Sequence, residues 1–212
     1  MTVAGLVLAL DYASALIFAL TGALVASRKQ LDLTGFVFMA ALTAVGGGTL
    51  RDLMLDRAPL VWVAQPSLIV MAAVAAAIVF WTAHLLESRA KTLLWLDAFA
   101  LAIAVPAGVG VAMAVGAPPV IVVLMGIATG TFGGLMRDVV GNEVPVIFRQ
   151  GELYITAAFG GAAMAVLMVR LGVPQPVALL TCGAVVLALR IGSMLRGWAL
   201  PLYKPRPPQE KR

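Results

Sequence analysis

The chain has 212 residues, of which 62% are hydrophobic and 12% charged, with a formal net charge of +5. That balance, with a strongly positive mean hydropathy, excludes a water-soluble domain and places the chain among integral membrane proteins. The single Cys182 and single His84 exclude an internal disulfide, a cysteine cluster and a multi-histidine metal site, and no cofactor or metal is expected.

Apolar stretches long enough to cross about 30 Å of hydrocarbon run in order over 5–27, 33–55, 66–86, 92–114, 118–140, 153–171 and 176–198, which predicts seven spans. The first lacks the cationic flank of a cleavable signal, carries Asp11 and is followed by Arg28 and Lys29, so it is expected to be retained. With the N-terminus outside, Arg28, Lys29, Arg89, Lys91, Arg137, Arg149, Arg196, Lys204, Arg206, Lys211 and Arg212 all face the cytoplasm. Only Arg51, Arg57 and Arg170 then face out, a bias that favours this orientation over the reverse. The basic residues are scattered between apolar runs, so they read as orientation signals, and no nucleic acid is expected. His84 reads as interfacial, and the proline-rich tail as a solvated cytoplasmic end.

The chain repeats itself at a shift of 86 residues. Asp11, Ile17, Gly22, Met39, Thr43, Gly47, Gly48, Arg51, Asp52 and Pro59 match Asp97, Ile103, Gly108, Met125, Thr129, Gly133, Gly134, Arg137, Asp138 and Pro145 in type and order. Three spans separate equivalent positions, and three is odd, so the second copy is expected upside down relative to the first. The predicted fold is an all-α membrane protein of two inverted three-helix repeats, 1–86 and 87–172, with a seventh helix over 173–200 and a tail over 201–212.

The glycines Gly46, Gly47 and Gly48, and their mates Gly133 and Gly134, lie inside the second and fifth spans. Adjacent glycines each lose about 1 kcal/mol of helix propensity against alanine, so a kink or break is expected, with freed carbonyls lining an aqueous path. The same residues support a second reading. Ala40, Ala44 and Gly48, like Gly126, Gly130 and Gly134, form ladders of small residues at four-residue spacing, the pattern of close helix packing.

Arg51 with Asp52, and Arg137 with Asp138, are expected at opposite mouths of the molecule. Neighbouring residues on a helix do not face each other, so each arginine is expected to pair with something other than the adjacent aspartate. Two readings stand for these pairs: snorkelling and helix-end charges, or charges guarding a water-filled route, with a structural partnership between aspartate and arginine favoured over a free surface charge. Asp11 and Asp97 are expected as helix-start caps, ahead of a cavity-facing role. Arg190, well inside the seventh span, resists a snorkelling explanation.

GGGTLRD lacks the ending of a phosphate-binding loop and lies within a span, and no catalytic triad, HExxH or Cys-His arrangement can be assembled, so the chain is not expected to be an enzyme. Inverted repeats with broken helices alone point to a secondary transporter. The doubled signature, GGGTLRD and GGLMRD in two inverted three-span repeats followed by a seventh span, resembles the bacterial branch of the trimeric intracellular cation (TRIC) channel family over nearly the whole chain. The resemblance implies a homotrimer in the bacterial inner membrane, a pore in every protomer, and conduction of potassium or sodium ions, chiefly potassium, with membrane lipids as surroundings. It implies pore or kink roles for Gly46, Gly47, Gly48, Thr49, Gly130, Gly133 and Gly134. Animal members carry a Lys-Glu-Val motif associated with phosphoinositide binding; here the corresponding positions read Thr49-Leu50-Arg51-Asp52 and Leu135-Met136-Arg137-Asp138, so that property is not implied. A small-solute or glycine-like amino-acid transporter is the alternative.

Overall fold

The computed structural model describes residues 2–86, 88–149 and 152–201. The helices are α1 (Val3–Arg28), α2 (Leu33–Met54), a one-turn α3 (Val61–Ala64), α4 (Ser67–Thr82), α5 (Arg89–Ala114), α6 (Pro119–Val140), α7 (Ile155–Arg170) and α8 (Gln175–Arg196). Short 3-10 turns cover Ala83–Leu85 and Val146–Phe148. The tail expected over 201–212, with Lys204, Arg206, Lys211 and Arg212, lies outside the described residues after Pro201.

Local chemistry sets the helix ends. Thr2, Asp32 and Ser88 cap α1, α2 and α5 by accepting the backbone N–H of Gly5, Gly35 and Lys91. Thr2 and Ser88 stand 86 residues apart, so the duplication extends to the cap. Pro119 and Pro176 occupy the first turns of α6 and α8, where a missing N–H is harmless. Gly197 closes α8 in the left-handed conformation at φ 67°.

Six of these helices are long and apolar enough to cross a membrane. The stretch expected as a sixth span at 153–171 is a shorter helix of 16 residues, about 24 Å long at 1.5 Å per residue. It starts late because Leu153 and Tyr154 are buried ahead of it, and the Leu153 N–H donates to Ser193 Oγ at 2.9 Å instead of opening a helical turn. The one-turn α3 was not expected; it precedes Pro66, in the segment that follows Asp52.

The packing follows the duplication. α1 lies against α2 and α4, as α5 lies against α6 and α7, and across the two copies α1 meets α5 and α2 meets α6. α8 packs on α5 and α7 and has no repeat mate. α5, which packs on α1, α6, α7 and α8, has 78% of an apolar 18-residue stretch buried, against 28% for α1. At one end of the bundle, Val3, Arg57, Ala114 and Gln175 border a common cavity. At the other, Arg28 pairs with Glu143 at 3.2 Å, and Arg89 donates to the Ser27 carbonyl.

Candidate functional site

Where α2 and α6 cross, two glycines make the approach possible. A Cβ on Gly47 would collide with the Thr129 carbonyl oxygen, and a Cβ on Gly133 with that of Thr43. These four positions exchange under the 86-residue shift, and such reciprocity is what a local two-fold between two helices produces. Gly46 adds to the contact, its Cβ position lying 3.4 Å from the Gly133 Cα. A further layer repeats the logic: a Cβ on Gly22 or Gly108 would press on the Met39 or Met125 carbonyl, whose oxygen accepts the Thr43 or Thr129 hydroxyl at 2.6 Å.

Both helices run as continuous α-helix through these glycines, so the expected break is absent. The helix propensity lost at each glycine is offset by backbone-to-backbone packing that no side chain would permit. Gly130 serves packing too, facing Val105 and Leu101 of α5. Thr49 donates to the Val45 carbonyl and accepts from Trp62 Nε1 at 3.0 Å. It lines an apolar cavity of about 400 Å³ with Leu42, Gly46, Phe132 and Met136.

The arginine–aspartate pairs stand at opposite ends of this crossing. In the first copy Arg51 donates from Nε to Asp52 at 2.9 Å and from Nη1 to Asp11 at 2.7 Å. In the second copy Arg137 donates from Nε to Asp138 at 2.8 Å and from Nη1 to Asp97 at 2.9 Å. Both arginine side chains are fully buried. Two expectations are corrected here. Each arginine pairs beyond its neighbour as expected, with Asp11 or Asp97, but it also bonds the adjacent aspartate, because its long side chain turns along the helix and reaches what Cβ directions alone would forbid. Asp11 and Asp97 are not caps: they sit mid-helix in α1 and α5, where each supplies a second carboxylate across the helix interface.

The second carboxylate oxygens of Asp52 and Asp138 accept the backbone N–H of Val61 at 2.8 Å and Val146 at 2.9 Å. These bonds tie the loop after each span to the cluster and satisfy donors that would otherwise be orphaned. The copies then diverge. Arg57 donates to Asp52 at 2.9 Å, whereas the matching Glu143 turns away to Arg28. In the second copy Tyr154 stands beside the cluster, and the Arg190 guanidinium lies 4.8 Å above its ring while bonding Glu152 at 2.9 Å. Sequence reasoning singled out Arg190 without its partners, because Glu152 and Tyr154 have no repeat mates to draw attention to them. Arg57 and Glu143 do share the 86-residue shift, and that charge reversal was the available signal.

Several buried polar atoms find no hydrogen-bond partner among the described residues: Arg51 Nη2, Arg137 Nη2, Asp97 Oδ2, and Nε and Nη2 of Arg190. The Cβ position of Gly48 lies 3.2 Å from Val61 Cγ1 and 3.8 Å from Arg51 Nη2, and that of Gly134 lies 3.3 Å from Asp97 Oδ1 and 3.6 Å from Arg137 Nη2, so both glycines let neighbours pack close beside each guanidinium. On the side of the first cluster, Asp11 and Arg57 line a cavity of about 620 Å³ that also meets Gln65 and Gln175.

The family model described as glycine transporter matches twice, over residues 8–84 and 94–170, two segments offset by the same 86 residues. The inner membrane protein YadS of Escherichia coli K12, a UPF0126 protein, is 36% identical over 92% of this chain and 94% of its own length. The TRIC channel orthologue from Rhodobacter sphaeroides is 45% identical, with a TM-score of 0.87 over 91% of this chain and 98% of that one. A second TRIC cation channel structure, solved to explain conductance, is 32% identical with a TM-score of 0.83, over 94% of this chain and 98% of that chain. A doubled sequence motif, the helices that it builds and these likenesses agree: the chain is a member of the bacterial branch of the trimeric intracellular cation channel family.

Proposed function

We propose that the protein is a monovalent cation channel, conducting chiefly potassium, with a pore inside each protomer of a homotrimer. The observation that carries this reading is the pair of fully buried arginines at opposite ends of the α2–α6 crossing, each with an Nη2 group that the described protein atoms leave unpartnered. A buried guanidinium nitrogen without an acceptor is costly, and water satisfies it most simply, so Gly48 and Gly134, beside these nitrogens, mark the two ends of a hydrated route whose Gly134 end is closed in this structure. The likeness to TRIC cation channels supports the same reading.

In this reading seven helices cross the bilayer as two inverted repeats plus α8, α2 and α6 bend around the pathway, and the N-terminus lies outside with the tail in the cytoplasm. Gly46, Gly47, Gly48, Gly130, Gly133, Gly134 and Thr49 shape the pathway, while Asp11, Arg51, Asp52, Asp97, Arg137 and Asp138 hold its ends. Discrete unitary currents from purified protein in planar bilayers are the expected result; a protein that carries no unitary current under a potassium gradient overturns the channel reading. A reporter fused after Arg212 is expected in the cytoplasm, and an external one removes the inverted arrangement.

A second reading, a carrier for a small zwitterionic amino acid, is favoured by one observation: Asp11 and Arg57, of opposite charge, line the same cavity. Substrate counterflow in vesicles without unitary currents would select it.

A further inference from the structure

Two adjoining cavities away from the α2–α6 crossing share Arg170, the last residue of α7. One, of about 360 Å³, runs between α6 and α7 along Val123, Ile127, Phe159 and Leu167. The other, of about 290 Å³, lies by the turn between α5 and α6 and has Gln175 on its wall. Arg170 is exposed and joins none of the ion pairs among the described residues. Gln175 Nε2 is buried with no hydrogen-bond partner there. On the rims Val120, Leu124, Phe159 and Leu167 are exposed.

We propose that this is a phospholipid site: the phosphate is held by the Arg170 guanidinium, a phosphate or ester oxygen accepts from Gln175 Nε2, and one acyl chain lies in the α6–α7 groove. Inside a bilayer an apolar groove attracts a chain no more strongly than surrounding lipid does, so polar chemistry must decide occupancy. The polar chemistry here is two donors, Arg170 and Gln175, on the wall of one cavity. A guanidinium at the end of a spanning helix presents a fork that fits phosphate oxygens, and a buried amide donor gains most from an acceptor that comes with the ligand. The dimensions agree as well. From Phe159 to Arg170 the groove is about 16 Å long at 1.5 Å per residue, close to half of a hydrocarbon core about 30 Å thick, which is the depth of one leaflet.

Gln175 also borders the cavity of Asp11 and Arg57, and the lipid site is therefore tested without reference to conduction. Purified protein is titrated with phosphatidylglycerol, and in parallel with a diacylglycerol of the same chains that lacks the phosphate, and retained lipid is read by native mass spectrometry. Phosphatidylglycerol is expected to be retained and diacylglycerol to be lost. The double variant Arg170→Ala/Gln175→Leu is expected to weaken retention roughly tenfold or more, the effect of losing charge-assisted hydrogen bonds. Ala163→Leu, which narrows the groove without touching the donors, is expected to weaken it too, and Arg196→Ala at the opposite end is expected to leave it unchanged. Equal retention of both lipids, or retention at the wild-type level in the double variant, overturns the proposal.

Discussion

The cluster around Arg51 and the cluster around Arg137 are assembled from the same parts at the same spacing, yet they end in different states. Around Arg51 the Asp11 side chain keeps 12% of its surface exposed and borders a large cavity, while Asp52 is shared by two guanidinium groups, one of them on the partly exposed Arg57. Around Arg137 both partners are sealed, Asp97 entirely, and Tyr154 and Arg190 close the surroundings. The shared arginine and aspartates do not explain the difference; Arg57 and Tyr154, which differ between the copies, and the covering helix do. α8 packs on α5 and leaves α1 without an equivalent cover, so duplication supplies two ends and the helix without a mate decides which is sealed.

The largest effect that would test this contrast comes from removing each arginine. Arg137→Met strands Asp97 and Asp138 in a sealed site and is expected to cost about 3–5 kcal/mol. Arg51→Met is expected to cost distinctly less, because Arg57 still partners Asp52 and Asp11 reaches the cavity. Thermal unfolding of the purified variants in detergent reads both, and equal losses would break the comparison.

The glycine crossing should behave in the opposite way. Gly47→Ala and Gly133→Ala each force a Cβ against a carbonyl oxygen and are expected to cost about 1–3 kcal/mol apiece, with near-equal values, since the contacts are reciprocal. A wide gap between the two in the same melts would mean that the crossing is not shared evenly between copies.

Neutralising the aspartates probes what the clusters are for. Asp52→Asn and Asp138→Asn weaken charge-assisted bonds to arginine and are expected to lower stability by about 1.5–3 kcal/mol, with a fall in current that does not depend on ionic strength. A fall in current that fades with added salt at unchanged stability would make them surface charges that gather cations. The smallest effect belongs to the pair that marks the divergence. Glu143→Gln breaks a partly exposed bridge to Arg28 and is expected to cost about 0.2–1 kcal/mol, a loss that high salt erases; a larger cost would mean that Glu143 takes part in the sealed cluster.

Much of this is legible in the chain. The shift of 86 residues alone picks out the glycines, the aspartates and the arginines, because matched pairs of unusual residues inside apolar runs stand out twice. What the duplication could not reveal is contact. Asp11 and Arg51 lie on different helices, so a mid-helix carboxylate read in isolation resembled a cap. Gly47 and Gly133 were legible as departures from helix propensity, but the partner that compensates them, a carbonyl on the other helix, leaves no mark in the sequence. Tyr154, Glu152 and Ser193 occur once each in their roles, and α7 fell short of its expected span because a serine on α8 captured the N–H of Leu153.

The order of synthesis bears on these clusters. In both copies the mid-helix aspartate precedes its arginine by 40 residues. At a synthesis rate of about 5–20 residues per second, the carboxylate is made roughly 2–8 s before the guanidinium that neutralises it. A lone aspartate at the centre of a membrane helix is unfavourable by about 2.5–3.5 kcal/mol on insertion scales, and Asp11 and Asp97 stand inside α1 and α5, so each helix is expected to commit to the bilayer late, as half of a hairpin with the helix that follows. A nascent chain arrested between Asp97 and Arg137 is expected to hold α5 at the insertion machinery, where crosslinking detects it, and one arrested beyond α6 to release it; release at the earlier arrest point would show that α5 needs no escort.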